Sequence, residues 1–215
     1  ALGTPLNIAG RDYHYSINND TWSWKSDTLS LSELPRPMQY CDFQLQNAAG
    51  VLKVLNEIYH DYPVSVDNIK QGLASFRLNG RMQVIPGKVA KILDVAHNPQ
   101  SVKVLVENLN EIPCVGQTHL LVGMLKDKNH HQVLKVLSNV ADSWSIVTLY
   151  QDRGCDAKTL ISDLERLDIN DNVSEFKNVE EALKRLHQTS KSGDRIIVTG
   201  SFLTVGAALR YLTEK

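Results

Sequence analysis

Hydrophobic and polar residues alternate, or cluster around aromatic side chains, over the first 35 positions of the chain. This period of two indicates short β-strands. The expected strands are Leu6–Gly10, Tyr13–Ile17 and Thr21–Trp24. Residues 18–20, with the sequence Asn-Asn-Asp, are typical of a hairpin turn. Because Trp22 and Trp24 leave the same face of their strand, we expect both to pack in a core.

Apolar residues then recur every three or four positions, which is the spacing along one face of an α-helix. This spacing predicts a long helix over residues 41–61, which Pro63 ends. A second helix is expected from Val66 to Phe76, and the pair Asn79-Gly80 interrupts the pattern. The first part of the chain is therefore expected to consist of a few strands followed by two helices.

From residue 81 onward, strand-like runs alternate with amphipathic helices. The expected strands are Met82–Ile85, Val89–Val95, His119–Val122, Ser145–Leu149 and Arg195–Thr199, and the expected helices are 100–110, 129–140, 157–166, 178–189 and 202–213. This alternation predicts an α/β fold with a Rossmann-like, mostly parallel sheet and helices on both faces. The change of pattern divides the chain into two expected domains, residues 1–76 and 77–215.

Composition narrows the class of protein. The 215 residues carry a formal net charge of -1, whereas nucleic-acid-binding proteins usually have a basic excess, so we expect no nucleic-acid partner. No apolar run reaches the roughly 18 residues of a membrane span, so we expect no membrane partner. Cys41, Cys114 and Cys155 form no CxxC pair and are expected to be buried thiols of a cytoplasmic protein. The adjacent His130 and His131 make a poor metal pair and are expected to be solvated.

The segment Asp94 to Pro99 follows a strand, at the sheet edge where α/β proteins bind ligands. Pro99 is well placed near the first position of the next helix, whose N-terminus favours anions. Asp94 can accept a hydrogen bond from a hydroxyl group, and His97 can donate one to a carboxylate or phosphate. Equally, Asp94 and Asn98 can bond their own backbone and simply cap the turn. The residues by themselves leave both interpretations open.

Three other segments combine a polar side chain with a strand end. Arg81, after Asn79-Gly80, either forks onto a phosphate or is an ordinary surface arginine. Lys126 and Lys128 follow the strand His119–Val122 and either meet a substrate carboxylate or belong to a solvated turn. Ser201 follows Gly200 and either binds an anion or caps the last helix. It is not surrounded by GxSxG, so a nucleophile elbow is excluded.

Four motifs occur together in one order, and the set resembles the Mur ligase superfamily. The motifs are Asn47-Ala48-Ala49, Gly80-Arg81, Asp94-Val95-Ala96-His97-Asn98-Pro99 and Thr199-Gly200-Ser201-Phe202. The Asp-x-Ala-His-Asn-Pro form is more similar to the folate branch, the bacterial bifunctional dihydrofolate and folylpolyglutamate synthases, than to the cell-wall branch. Val95 stands where members often have Gly.

The resemblance implies a role for each part of the chain. Residues 1–76 would be the end of the central ATP-binding domain, and residues 77–215 the C-terminal glutamate ligase domain. The sequence contains no GxxxxGK[ST] or GxGxxG loop. We therefore expect a fragment that lacks its N-terminal portion, is inactive alone, and leaves the phosphate loop and the Mg²⁺ ligands outside the chain.

The resemblance also implies which side chains act. Asn47 would contact adenine, Asp94 the ribose, and Arg81 the phosphates of ATP. The residues expected to handle the glutamate substrate are His97, Asn98, Lys128 and Ser201. Arg81 and His97 are the expected catalytic residues, and no metal ligand is assigned.

The implied reaction uses ATP and Mg²⁺ to activate the carboxylate of dihydropteroate or of a reduced folate as an acyl phosphate. The amine of L-glutamate then attacks it, and the protein is expected to be a monomer. Two alternatives stay open. One is a cell-wall amino acid ligase of the same superfamily, and the other is a non-catalytic ligand-binding domain, which the missing phosphate loop favours.

Overall fold

The structure of the chain is a computed structural model that describes residues 5–37 and 42–213. The chain divides into two compact units, residues 1–77 and residues 78–215. Their assignment to the central and C-terminal domains of a ligase stays a prediction. Each unit has a hydrophobic core of its own.

The first unit is a three-stranded antiparallel sheet with two helices. Its elements are β1 (Tyr13–Asn18), β2 (Thr21–Ser26), β3 (Ser30–Pro35), α1 (Asp42–Glu57) and α2 (Val66–Ser75). The β1–β2 turn is the expected hairpin, and Asn19 adopts a φ of 52° there. Trp22 and Trp24 are buried, as predicted, and Trp24 donates from Nε1 to the carbonyl oxygen of Ala49 on α1 at 3.0 Å.

The expected strand Leu6–Gly10 is wrong. This segment is a loop with one isolated bridge, between Ala9 and Tyr13. Its backbone turns back because the Asp12 carboxylate accepts the N–H of Ile8 at 2.6 Å, and Gly10 adopts a φ of +83°. An aspartate at that spacing offers the backbone a local bond that competes with strand pairing.

The second unit contains one six-stranded sheet with helices on both faces. Its elements are β4 (Gln83–Ile85), β5 (Ala90–Leu93), α3 (Pro99–Glu111), β6 (Thr118–Val122), α4 (His130–Leu137), β7 (Ser143–Val147), α5 (Ala157–Glu165), β8 (Val173–Phe176), α6 (Val179–Thr189), β9 (Arg195–Thr199) and α7 (Phe202–Thr213). The strand order is β4-β5-β9-β6-β7-β8, and every pair is parallel except β4–β5. The predicted mostly parallel sheet is therefore confirmed.

The position of β9 between β5 and β6 creates a switch in the direction of the chain. Helices α3, α4 and α5 pack side by side, whereas α6 packs against α7. Because parallel crossovers are right-handed, these two groups cover opposite faces of the sheet. The chain thus leaves β5 and β6 toward one face and β9 toward the other. Such a switch point opens a crevice at the carboxyl ends of the strands, where ligands of α/β sheets bind.

Candidate active site

Asp94 follows β5 directly and organises the carboxyl edge. Its carboxylate is buried and accepts two backbone N–H groups, from Met82 to Oδ2 at 2.9 Å and from Ala96 to Oδ1 at 2.8 Å. Burial raises the pKa of the Asp94 carboxyl above its usual value, while these two bonds and the charge of Arg81 act in the opposite direction. Each oxygen keeps a second lone pair that these two bonds do not use.

Gly80 fixes the start of Arg81 against the loop after β5. It adopts a φ of +69°, and a Cβ atom there would lie 2.8 Å from Cγ1 of Val205 and 3.1 Å from Cγ1 of Val95. Its carbonyl oxygen also accepts the N–H of Val95 at 2.8 Å. Only glycine combines this backbone conformation with so close an approach. The Gly-Arg motif is thereby held beside Asp94.

Hydrogen bonds tie the loop after β9 to the loops after β5 and β6. The carbonyl oxygen of Ala96 accepts from Gly200 N at 2.9 Å and from Thr199 Oγ1 at 3.1 Å. The carbonyl oxygen of Gly123, after β6, accepts from Thr204 Oγ1 at 2.7 Å. Three loops that are far apart in sequence therefore form one connected surface at the switch point.

Phe202 is a site residue to which the sequence assigned no role. It is the first residue of α7, and the residue is 62% exposed. Cζ of Arg81 lies over this ring, 5.5 Å from its centroid, and the His97 ring lies 6.4 Å from it at 49°. An aromatic residue directly after the polar Thr199-Gly200-Ser201 run, where a helix begins, is the sequence signal that could have pointed to it.

Arg81 and His97 carry the free polar groups of the site. Within residues 5–37 and 42–213, the Arg81 guanidinium donates no hydrogen bond, so its five N–H groups are available to an anion such as a phosphate. His97 Nδ1 lies 2.9 Å from the carbonyl oxygen of Val95, which can only accept, so Nδ1 carries the hydrogen. Its Nε2 is the nitrogen left to meet a ligand.

Asn98 and Ser201 cap helices in this structure. Asn98 Oδ1 accepts the N–H of Ser101 at 2.9 Å, and Ser101 Oγ accepts the N–H of Asn98 at 3.2 Å, which completes a capping box for α3. Ser201 is buried, and its Oγ accepts the N–H of Thr204 at 3.1 Å. Both side chains thus hold the loops in shape, and their contacts with glutamate stay predictions.

Lys128 lies in the loop after β6, where it pairs with Asp127 at 3.1 Å. This ion pair is the leading reason why the pKa of the Asp127 carboxyl is lowered.

The expectation that His130 is solvated is wrong, because the side chain is buried and its Nε2 lies 2.8 Å from the carbonyl oxygen of Leu125. His131 is exposed, as expected. A carbonyl oxygen at hydrogen-bond distance satisfies His130 and explains why a histidine is buried there.

Asn47 belongs to the first unit, where its side chain is exposed on α1 and donates from Nδ2 to Gln44 Oε1 at 3.2 Å. It lines an apolar groove of about 300 Å³ together with Val51, Ile69 and Phe76. An amide at the rim of an apolar groove suits a flat heteroaromatic ring.

Of the cysteines, Cys155 is buried, Cys114 is half-buried, and Cys41 lies outside the described residues.

Two features of the described residues bear on the class of site. No group of three or more His, Cys, Asp or Glu side chains among them is arranged to hold a metal ion. In the same part of the chain, no helix is both long and apolar enough to cross a membrane. That the Mg²⁺ ligands belong to a portion outside this chain stays a prediction.

The family described as Mur ligase, glutamate ligase domain, has a sequence profile that matches residues 80–202. The match spans more than half of the 215 residues and includes Arg81, the three loops of the carboxyl edge and Phe202. The chain belongs to the Mur ligase family. The resemblance stated from the four motifs is thus confirmed, and so is the α/β fold.

Relatives of this Mur ligase chain are folate enzymes. It is 30% identical over 213 residues to the dihydrofolate synthase/folylpolyglutamate synthase of Escherichia coli strain K12, covering 99% of this chain and 48% of that protein. A structure of E. coli FolC in complex with DHPP and ADP matches with a TM-score of 0.84 at 29% identity, covering 96% of this chain and 47% of the other.

A second structure is of a bifunctional folylpolyglutamate synthase/dihydrofolate synthase with Mn, AMPPNP and L-glutamate bound. It matches with a TM-score of 0.85 at 33% identity, covering 99% of this chain and 48% of the other. The Mur ligase chain therefore spans about half the length of the relatives that it matches.

Proposed function

We propose that the protein carrying this chain uses ATP to join L-glutamate to dihydropteroate and to folates. The carrying observation is that Arg81, with five free N–H donors, and His97, with a free Nε2, share one carboxyl edge with Asp94 at the switch point of a Mur ligase fold. The structure of E. coli FolC is a complex with DHPP and ADP, and the structure of the second relative has L-glutamate bound. These ligands support the choice of substrates.

The proposed reaction has two steps. A carboxylate oxygen of the acceptor attacks the γ-phosphorus of ATP, the bond to the β-phosphate breaks, and ADP leaves. The glutamate nitrogen then attacks the carbonyl carbon of the acyl phosphate, the C–O bond to phosphate breaks, and the nitrogen loses a proton. Arg81 would stabilise the charge on the transferred phosphoryl group, which is an electrostatic role. Nε2 of His97 would accept a hydrogen bond from the glutamate amine and direct the amine lone pair to the carbonyl carbon.

Other residues would hold the two ligands. Asn47 and the apolar groove beside it would take adenine, and Asp94 the ribose. Lys128 would meet a glutamate carboxylate, while Asn98 and Ser201 would present their capped helix ends to it. Mg²⁺, held by ligands outside this chain, would neutralise charge on the phosphates. A cytoplasmic location is part of the proposal and is supported by the free thiols of Cys114 and Cys155.

The test is an assay of the complete gene product that carries these residues, with ATP, L-glutamate and dihydropteroate. We expect an amide product detectable by mass spectrometry, and a fall in kcat/KM of about 100- to 1,000-fold for Arg81→Ala, the range seen when a donor to a charged transition state is removed. Asp94→Ala should also lower activity strongly. Arg185→Ala, on the exposed surface of α6, is the matched control and should change little.

Other outcomes would refute the proposed function or favour one of its alternatives. Near-normal activity in both site variants would refute the proposed site. Product from a UDP-muramoyl acceptor, and none from dihydropteroate, would favour the cell-wall branch. Binding of ATP and glutamate without any turnover would favour a non-catalytic domain.

A further inference from the structure

The Arg81 side chain is anchored at its backbone and free at its tip. The backbone N–H of Arg81 donates to the carbonyl oxygen of Leu78 at 3.2 Å. The preceding Gly80 packs tightly against Val205 and Val95. The guanidinium, at the end of a flexible stem, donates no hydrogen bond to the residues that the structure describes. Such a side chain samples many rotamers unless something holds it, and ordering it costs conformational entropy.

Phe202 provides a contact that leaves every N–H of the guanidinium unused. Cζ of Arg81 lies over the ring, 5.5 Å from its centroid, within the distance of a cation–π interaction. This interaction uses the charge of the guanidinium and none of its hydrogen bonds, so the donors stay available to a ligand. A carboxylate in the same place would hold Arg81 more tightly but would occupy the same donors and neutralise their charge.

The backbone that carries the Phe202 ring is fixed by the loop after β9. Gly200 N donates to the Ala96 carbonyl oxygen at 2.9 Å, and the buried Ser201 hydroxyl accepts the N–H of Thr204 at 3.1 Å. Phe202 is the next residue, so the ring starts from a well-defined backbone. Because the residue is 62% exposed, it contributes little to the core of the unit.

We propose that Phe202 is a positioning residue, whose ring orients the Arg81 guanidinium toward the phosphates of a nucleoside triphosphate before the ligand arrives. The inference rests on the proposed function in assuming that Arg81 meets those phosphates. It goes further by assigning a role to an exposed aromatic residue that contacts the ligand only through Arg81. Pre-ordering a flexible side chain lowers the entropy lost on binding, and its loss should weaken binding.

The experiment compares Phe202→Leu, Phe202→Tyr and Phe202→Trp in the complete gene product. Calorimetric titration with AMPPNP should show about 3- to 30-fold weaker binding for the Leu variant, equivalent to about 0.7–2 kcal/mol. The Tyr and Trp variants retain a π face and should stay within about 2-fold of the parent. Leu203→Ala, at the next position of α7, is the control and should bind like the parent.

A double-mutant cycle with Arg81→Ala separates this role from a merely structural one. If Phe202 acts through Arg81, Phe202→Leu should weaken AMPPNP binding in the parent and have no effect in the Arg81→Ala background. Equal losses in both backgrounds, equal losses for the Leu and Tyr variants, or parent-like binding by the Leu variant would each overturn the proposal. Should the Leu variant melt early, Phe202→Met gives the same comparison with an unbranched side chain.

The titration also keeps the two proposals distinguishable. Loss of AMPPNP affinity that depends on Arg81, in a protein with no ligase activity, would support the role of Phe202 while refuting the proposed reaction. Full ligase activity with no coupling between Phe202 and Arg81 would support the proposed reaction and refute the role of Phe202.

Discussion

At the residue scale, the polar side chains of the candidate site divide into those that shape it and those that are free to act. The side chains of Asp94, Asn98 and Ser201 accept hydrogen bonds from backbone N–H groups, and these bonds hold the loops in place. Arg81 and His97 keep donors or acceptors that face no described partner. A side chain in the first group affects both folding and function when it is changed, whereas the second group should affect function with little loss of stability.

Asp194 offers a test of residue-scale electrostatics at the opposite edge of the sheet. Its buried carboxylate accepts the N–H of Gln117 at 2.8 Å and that of Lys191 at 2.6 Å, and His119 Nε2 lies 3.2 Å away. The bond from Gln117 is the first cause of a pKa lowered from the usual 3.8. A carboxylate with a lowered folded pKa adds stability above its unfolded pKa and loses it as the pH falls through the folded value.

We expect Asp194→Asn to lower the free energy of unfolding at pH 7 by about 1–3 kcal/mol, because a buried N–H group loses its acceptor. The difference from the parent should shrink as the pH falls from 3.8, the ordinary value, through the lowered pKa of the folded state, where the parent carboxylate also becomes protonated. Urea denaturation between pH 7 and pH 3 measures it. Asp171→Asn, at an exposed position, is the control. An equal difference at pH 3 and pH 7 would contradict the charge-based explanation.

At the element scale, helices and long strands could be predicted from the sequence because their apolar spacing is regular. Strands β3 and β8 could not. Strand β8 has four residues and is half-buried at best, so its residues carry no alternation, and parallel pairing with β7 decides its form. In β3, Glu33 adopts a φ of 52°, and the two buried leucines lie three positions apart instead of two.

The sheet order could not be predicted either. Alternation of strands and helices indicates a parallel sheet but does not say that β9 enters between β5 and β6. That insertion brings Thr199 to Phe202 beside Arg81 and His97, so the aromatic contact of the site depends on a long-range arrangement that sequence spacing does not contain. The individual motifs were visible, but their connection through the Ala96 carbonyl oxygen was not.

The loop after β9 gives an element-scale prediction. Gly200 adopts a φ of +103°, and a Cβ atom there would lie 2.7 Å from the carbonyl oxygen of Gly123. Gly200→Ala should therefore destabilise the protein by more than about 1 kcal/mol and disturb the β6–β9 connection. The matched control is Gly72→Ala within α2, where no atom lies within 4 Å of an added Cβ.

Thermal or chemical denaturation distinguishes the two alanine variants. Gly72→Ala should be neutral or stabilising by about 0.5–1 kcal/mol, since alanine favours the helix. If Gly200→Ala were as stable as the parent, the close approach of these two loops would be incorrect. A loss of AMPPNP affinity in the same variant would link the loop to nucleotide binding.

At the scale of the whole molecule, the two units differ in how fully they bury their apolar surface. The second unit covers both faces of its sheet, and every residue of the central strands β6 and β9 is buried. The first unit has a small core built around Trp22 and Trp24. It leaves Val51 56% and Val54 58% exposed on α1. Units of this size are marginal, because a chain of about 60 residues buries only about 60% of its surface on folding.

We therefore expect a polypeptide of residues 78–215 to fold alone, and one of residues 1–77 to fold poorly. Differential scanning calorimetry of the longer piece should show one cooperative transition, since helices cover both faces of its sheet and its central strands are fully buried. The shorter piece should show a broad transition and bind a hydrophobic dye such as ANS, because its exposed apolar residues and small core leave little free energy to order the chain. Cooperative unfolding of residues 1–77, or dye binding by residues 78–215, would reverse this order. The outcome decides whether the Asp194 and Gly200 variants can be measured in the second unit by itself, where no effect on the first unit can enter the measured free energy.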